Sequence, residues 1–182
     1  MNVYLIGYRG TGKTTIARLL AQRLQATAID ADEHLERRAG RSIREIFATD
    51  GEPMFRELEV QTVRELAQRD GCVVSLGGGA VMRAENRDAI AGGKTVWLEA
   101  SPAAIWARLQ ADPTTADRRP NLTAQGGIDE IRQKLAERRD VYAACAQFRL
   151  DTETRSPGEA AEDIAKWLAR QLDQEGATWI SG

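Results

Sequence analysis

Apolar residues fall along this chain in short solid runs separated by stripes at helical spacing. Val3-Tyr4-Leu5-Ile6 is one such run, stopped by Gly7, and Ile16, Leu19, Leu20 and Leu24 then recur on one helix face. The chain therefore opens strand, loop, helix. Thr27-Ala28-Ile29, Cys72-Val73-Val74-Ser75-Leu76, Thr95-Val96-Trp97-Leu98 and Phe148-Arg149-Leu150 predict four further strands. They are mostly apolar rather than alternating, as a parallel sheet covered on both faces requires. Phe55, Leu58, Thr62, Val63 and Leu66 predict a helix between the second and third strands. Ile128, Ile131, Leu135 and Tyr142 predict another, and Ile164, Trp167, Leu168 and Leu172 a last one. Strands alternating with helices predict a doubly wound α/β fold, a sheet between two helical layers.

Asp112 to Gly127 breaks this rhythm. It is rich in Pro, Thr, Asp and Gly, with Leu122 its only large apolar residue, and unstructured loops of such length in compact domains are usually functional lids or disordered segments. The adjacent Arg118 and Arg119 favour a lid. Residues 173–182 show no periodicity and read as a tail, leaving 1–172 as one domain. A length of 182 residues suits that organisation. A net charge of −2 leaves no broad positive field for nucleic acid or anionic lipid, so neither is expected as a partner. Two cysteines are too few for a disulfide scaffold, and no apolar run reaches bilayer length. The first residues lack a signal peptide's features. A cytoplasmic location is expected.

The strongest chemical signal is Gly7-Tyr8-Arg9-Gly10-Thr11-Gly12-Lys13-Thr14, which satisfies G-x-x-x-x-G-K-[ST] between a predicted strand and a predicted helix. Its glycines let the backbone curl until successive N–H groups face phosphate oxygens, and the helix from about Lys13 aims its positive end at the same anion. Gly10 through Thr15 are thus candidate phosphate ligands. Lys13 would bridge the β- and γ-phosphates, and Thr14 would offer its hydroxyl to Mg2+.

The loop does not name an acceptor. Asp30-Ala31-Asp32 follows the second strand at the end where open α/β sheets bind ligands, and strand alternation would aim both carboxylates one way. One would hold hydrated Mg2+ and the other orient or deprotonate a substrate hydroxyl; alternatively, Asp32 caps a helix starting at Glu33. No Asp ends the third strand, which leaves Asp30 as the metal candidate. Arg56 and Glu59 share a helix face, either as a guanidinium fixed for a carboxylate or as a surface ion pair. Arg138 lies in the stripe of Ile131, Leu135 and Tyr142, where it needs an anionic partner or a snorkelling stem, while Arg139 is turned away. Gly77-Gly78-Gly79 permits close approach of a ligand to backbone N–H groups, or is a loose turn.

In order, Gly7 to Thr14, Asp30-x-Asp32, Gly51-Glu52-x-x-Phe55-Arg56-x-x-Glu59, Gly77-Gly78-Gly79, Arg119-Pro120 and Arg138 resemble shikimate kinase over residues 3 to about 172. The resemblance implies a five-stranded parallel sheet of P-loop NTP hydrolase type, with a mobile lid. It implies transfer of the γ-phosphate of ATP to the 3-hydroxyl of shikimate by a monomer using one Mg2+. Asp32, Arg56, Gly78 and Arg138 would bind shikimate within the Gly77–Gly79 loop, with Asp32 also the base. Arg119 would close with the lid onto the phosphates, Thr14 would ligate Mg2+, and Arg108, Arg155 and Pro157 would border the adenine. Asn121 stands where that family usually has Leu after Arg-Pro, and Asp140 replaces a Pro two residues after the substrate arginine. A gluconate or nucleoside monophosphate kinase is the nearer rival; a nucleotide switch, indifferent to metabolites, is the other.

Overall fold

A computed structural model describes residues 1–111, 127–176 and 179. The strands are β1 (Val3–Ile6), β2 (Thr27–Asp30), β3 (Cys72–Ser75), β4 (Lys94–Glu99) and β5 (Phe148–Asp151). All pair in parallel, in the order β2-β3-β1-β4-β5. The helices are α1 (Lys13–Leu24), α2 (Ala31–Ala39), α3 (Ile43–Thr49), α4 (Gly51–Ala67), α5 (Ala84–Ile90), α6 (Pro102–Ala111), α7 (Gly127–Cys145) and α8 (Pro157–Glu175), with a 3-10 turn at Ala80–Met82. Apart from Gly127, the expected lid with Arg118, Arg119, Pro120 and Asn121 lies outside the described residues.

Strand geometry explains the two helical layers. Successive β1 side chains point to opposite faces: Val3 and Leu5 pack with Ile16 and Leu20 of α1 and Ile164 and Leu168 of α8. Tyr4 and Ile6 enter the opposite cluster, with Val63 and Leu66 of α4, Ile90 of α5 and Tyr142 of α7. Both faces are covered, so β1 is apolar throughout. A smaller cluster of Leu35, Ile43, Ile46 and Phe55 joins α2, α3 and α4 beyond the sheet. Phe55 is fully buried there, worth about 2–3 kcal/mol of transfer free energy, and this packing seats the next residue, Arg56. A fourth cluster of Tyr8, Ile105 and Ile131 clamps the β1–α1 loop between α6 and α7.

Two expectations shift. Helix α8 runs past Leu172 to Glu175 and ends at Gly176 in a left-handed conformation, with its amide bonded back to Leu172 and Asp173. The boundary at 173 was too early because the last turn is largely exposed and lacks an apolar marker. Asp30 and Asp32 are not alternate strand positions either: β2 ends at Asp30, and Asp32 sits in the first turn of α2.

Candidate functional site

The β1–α1 loop curls as its sequence demands. Gly7 has φ +137°, and a Cβ there would run into the carbonyl oxygen of Leu98, so a side chain at this position is excluded on both counts. Thr11 Oγ1 and N both donate to Tyr8 O, closing the turn. Gly12 occupies the N-cap of α1 with no side-chain cap, so the first-turn amides and the dipole end are presented by backbone alone. Lys13 is buried, and its Nζ donates to Gly7 O and Tyr8 O at 2.9 Å each.

A cavity of about 390 Å³ opens over this loop at the C-terminal ends of β1, β2 and β3. Gly10, Lys13, Thr14 and Thr15 line one side, Asp30 and Asp32 another, and Gly77 and Gly78 a third. Thr14 Oγ1 donates to Asp30 Oδ2 at 2.6 Å. Asp30 Oδ1 accepts from the amides of Asp32 and Glu33. The cap of α2 is therefore Asp30, two residues before the Asp32 cap that was the alternative reading, and the helix starts at Ala31. One carboxylate thus fixes α2 and reaches the loop hydroxyl together, so α2 carries Asp32 into the cavity in a set position. Ser75, paired in register with Asp30, ends β3 where no acid stands, its Oγ 3.5 Å from Thr14 Oγ1.

Arg56 and Arg138 converge on the glycine loop behind this cavity. Arg56 Nη1 donates to Glu59 at 2.8 Å, and its Nη2 and Nε reach Glu52 at 2.9 and 3.1 Å. Burial on its own opposes the guanidinium's charge, but Glu59 and Glu52 outweigh it and the pKa moves up. The pair is no surface ion pair: the Glu59 side chain is only 5% exposed. A Cβ on Gly79 would stand 3.0 Å from Arg56 Nη1, so a side chain there would push the guanidinium, which lies against the loop, back by a few tenths of an ångström. Arg138 Nη1 donates to Gly78 O at 2.9 Å, and its guanidinium lies 5.6 Å from the Tyr8 ring centroid. Tyr142 donates to the same carbonyl. The stripe placed Arg138 inward correctly, whereas Arg139 is exposed. Among the described residues Arg138 contacts a carbonyl and an aromatic ring, and the Glu137 carboxylate feels its charge.

On the other flank, Arg108 near the end of α6 donates to Gly10 O, Thr152 Oγ1 and Thr152 O. Arg155 is tied to Asp163 at 2.8 Å and to Asp151 O, and Pro157 starts α8. Arg155 and Pro157 thus follow β5, and Arg108 joins the loop after β5 to Gly10. Sequence reasoning named Glu52 only within its motif and missed its contact with Arg56, and it missed Ser75, Thr152, and the ion pair of Arg9 with Glu130 at 2.9 Å. That pair is 121 positions apart in the chain, and neither periodicity nor motif spacing signals such a contact. Arg119 lies outside the described residues.

A glycine loop feeding an uncapped helix, a lysine folded into it, and a hydroxyl–carboxylate pair at the ends of parallel strands define a P-loop nucleotide-dependent phosphotransferase. The comparisons narrow this. A sequence profile described as Shikimate kinase matches residues 9–169. The shikimate kinase of Rhodopirellula baltica is 45% identical over 174 residues, covering 95% of this chain and 93% of that protein. That of Symbiobacterium thermophilum is 37% identical over 177 residues, covering 97% and 98%. A solved shikimate kinase from Acinetobacter baumannii, in complex with shikimate, superposes with a TM-score of 0.87 at 31% identity, covering 93% of each chain. This chain belongs to the shikimate kinase family.

Proposed function

We propose the following division of labour for transfer of the γ-phosphoryl group of ATP to the 3-hydroxyl of shikimate, the reaction of the family to which the chain belongs. The observation that carries it is the convergence of Arg56 and Arg138 on Gly78 and Gly79, directly behind a cavity that holds Asp32 and the phosphate loop. Gly10, Thr11, Gly12, Lys13, Thr14 and Thr15 take the phosphates, and Arg108, Arg155 and Pro157 border the adenine. Arg56 and Arg138 hold the acceptor's carboxylate, which planar guanidiniums grip with two parallel hydrogen bonds. The amides of Gly77–Gly79 close against the ring. Asp32 accepts from the 3-hydroxyl and takes its proton as the oxygen attacks. Lys13, the N-terminus of α1 and Arg119 from the lid offset charge on the transferring group.

The residues present fit Mg2+. Thr14 Oγ1 and Asp30 Oδ2 face each other as hard oxygen donors at the cavity wall. Among the described residues no group of three His, Cys, Asp or Glu gathers, and an ion that keeps its waters and shares phosphate oxygens needs no such cage. Thr14 would ligate it directly and Asp30 through water. Bound there, Mg2+ supplies charge neutralisation at the phosphates. As read from the sequence, the chain acts as a monomer in the cytoplasm; among the described residues both cysteines are free and no helix is long and apolar enough to cross a membrane.

Coupled ADP release with Mg-ATP tests the assignment, with shikimate, gluconate and AMP supplied separately. Stimulation by shikimate alone is expected; stimulation by gluconate or AMP instead, or by none, overturns it. Arg138→Lys tests one role. A point charge cannot make the bidentate grip, so the acceptor KM is expected to rise by about ten-fold or more with the ATP KM near that of the native chain. An unchanged acceptor KM would remove Arg138 from carboxylate binding.

A further inference from the structure

The Glu130 side chain is fully buried in the first turn of α7, where its Oε1 accepts from Arg9 Nη2 at 2.9 Å. Such a pair is a poor device for stability, because desolvating both charges offsets most of their attraction and apolar residues of similar volume often do as well. What the pair does achieve is placement. Arg9 is the third residue of the phosphate loop and lines the cavity. Its guanidinium lies 5.8 Å from the Tyr8 ring centroid, and that of Arg138 lies 5.6 Å from the same centroid. A Cβ on Gly78 would stand 3.4 Å from Arg9 N and 3.6 Å from Arg138 Nη1. Both guanidiniums thus lie near one ring centroid, with the Arg9 backbone amide and the Arg138 guanidinium beside one glycine, and like charges in one neighbourhood repel each other. Glu130 supplies the opposing charge. The Tyr8 phenol registers all three groups: burial pushes its pKa up first, Arg9 and Arg138 pull it down, and Glu130 pushes it up. Arg9 Nε is buried with no hydrogen-bond partner among the described residues.

We propose that Glu130 is a positioning residue for the acceptor: by anchoring Arg9 it holds a third guanidinium beside Arg138, so that the acceptor's carboxylate meets an ordered cationic pair rather than two arginines that repel each other apart. This rests on the shikimate-carboxylate role given to Arg138 above. It makes Glu130 act on acceptor binding through Arg9 while the nucleotide side of the loop is spared.

The test is a double-mutant cycle on the full chain with Glu130→Gln, Arg9→Met and the combined variant, reading KM separately for shikimate and ATP. Each single change is expected to raise the shikimate KM about ten-fold, the worth of a charge-assisted hydrogen bond, and to move the ATP KM less than two-fold. The combined variant is expected to match either single one. An unchanged shikimate KM in Glu130→Gln, a further rise in the combined variant, or an ATP KM that climbs in step would each overturn the proposal. If Glu130→Gln does not fold, Arg9→Met against the combined variant decides: equal acceptor KM supports the proposal, and a further rise overturns it. Wild-type protein that shikimate does not stimulate would instead overturn the reading beneath it.

Discussion

Asp32→Asn is expected to fold and bind ATP as the native chain does while its kcat falls about a thousand-fold. The fold should tolerate the change because the α2 cap is the side chain of Asp30, and Asp32 contributes its backbone amide, which asparagine keeps. The amide is isosteric with the carboxylate, so the cavity wall at this point stays the same size. What is lost is the negative charge and the basic oxygen. Asparagine can still accept a hydrogen bond from the 3-hydroxyl, so the acceptor KM should move little against the fall in kcat. Circular dichroism, the melting-temperature rise on adding Mg-ATP, and kcat measured at saturating acceptor together separate these effects. Turnover near the native rate would remove Asp32 from the chemistry and leave its carboxylate a binding group.

How far the site could be read from sequence depended on whether its signals were local. The phosphate loop was legible because its chemistry is confined to neighbouring residues and its strand and helix neighbours are periodic. The five strands were legible for the same reason, with ends within one or two residues of those observed. Strand order was not, since apolar runs say that a strand is covered but not by which neighbour. Helices α2, α3, α5 and α6 left weak signals: α2 buries only Ala31 and Leu35, and α3 and α5 have seven residues each. A short helix with one or two buried positions has no stripe to detect. Of these weakly marked helices, α2 carries Asp32.

The same distinction sorts the charged residues. Arg56 with Glu59 is an i,i+3 pair, so it was visible along the chain. Arg138 was visible as a charge in an apolar stripe. Its contact with Gly78 O, 60 positions away, was not. Asp30 has two local roles, as the last residue of a strand and the cap of the next helix. In the sequence it stood out as the metal candidate, and the cap was offered only to Asp32 and only as an alternative. The observed cap uses the backbone amide of Asp32 and not its carboxylate.

Lys13→Met is expected to abolish the stabilisation that Mg-ATP gives and to lower kcat by about a thousand-fold, near the upper cost of losing one preorganised group facing developing charge. Methionine matches the length of the lysine stem, so packing against the loop is preserved. The free protein loses the ammonium donor to Gly7 O and Tyr8 O. Leaving these carbonyls without that donor costs about 1–3 kcal/mol at most, and relief from holding a buried ammonium offsets part of that cost. The melting temperature without nucleotide should accordingly shift by only a few degrees. Nucleotide-linked stabilisation behaves differently, because it follows mass action and collapses once the dissociation constant exceeds the concentration supplied. The two variants therefore fail in opposite halves of the site: Asp32→Asn keeps the ATP-induced rise in melting temperature and loses turnover, while Lys13→Met loses both. A Lys13→Met protein that Mg-ATP still stabilises fully would mean that the loop amides and the α1 dipole suffice to hold the phosphates, and that the lysine's charge acts on the transferring group alone.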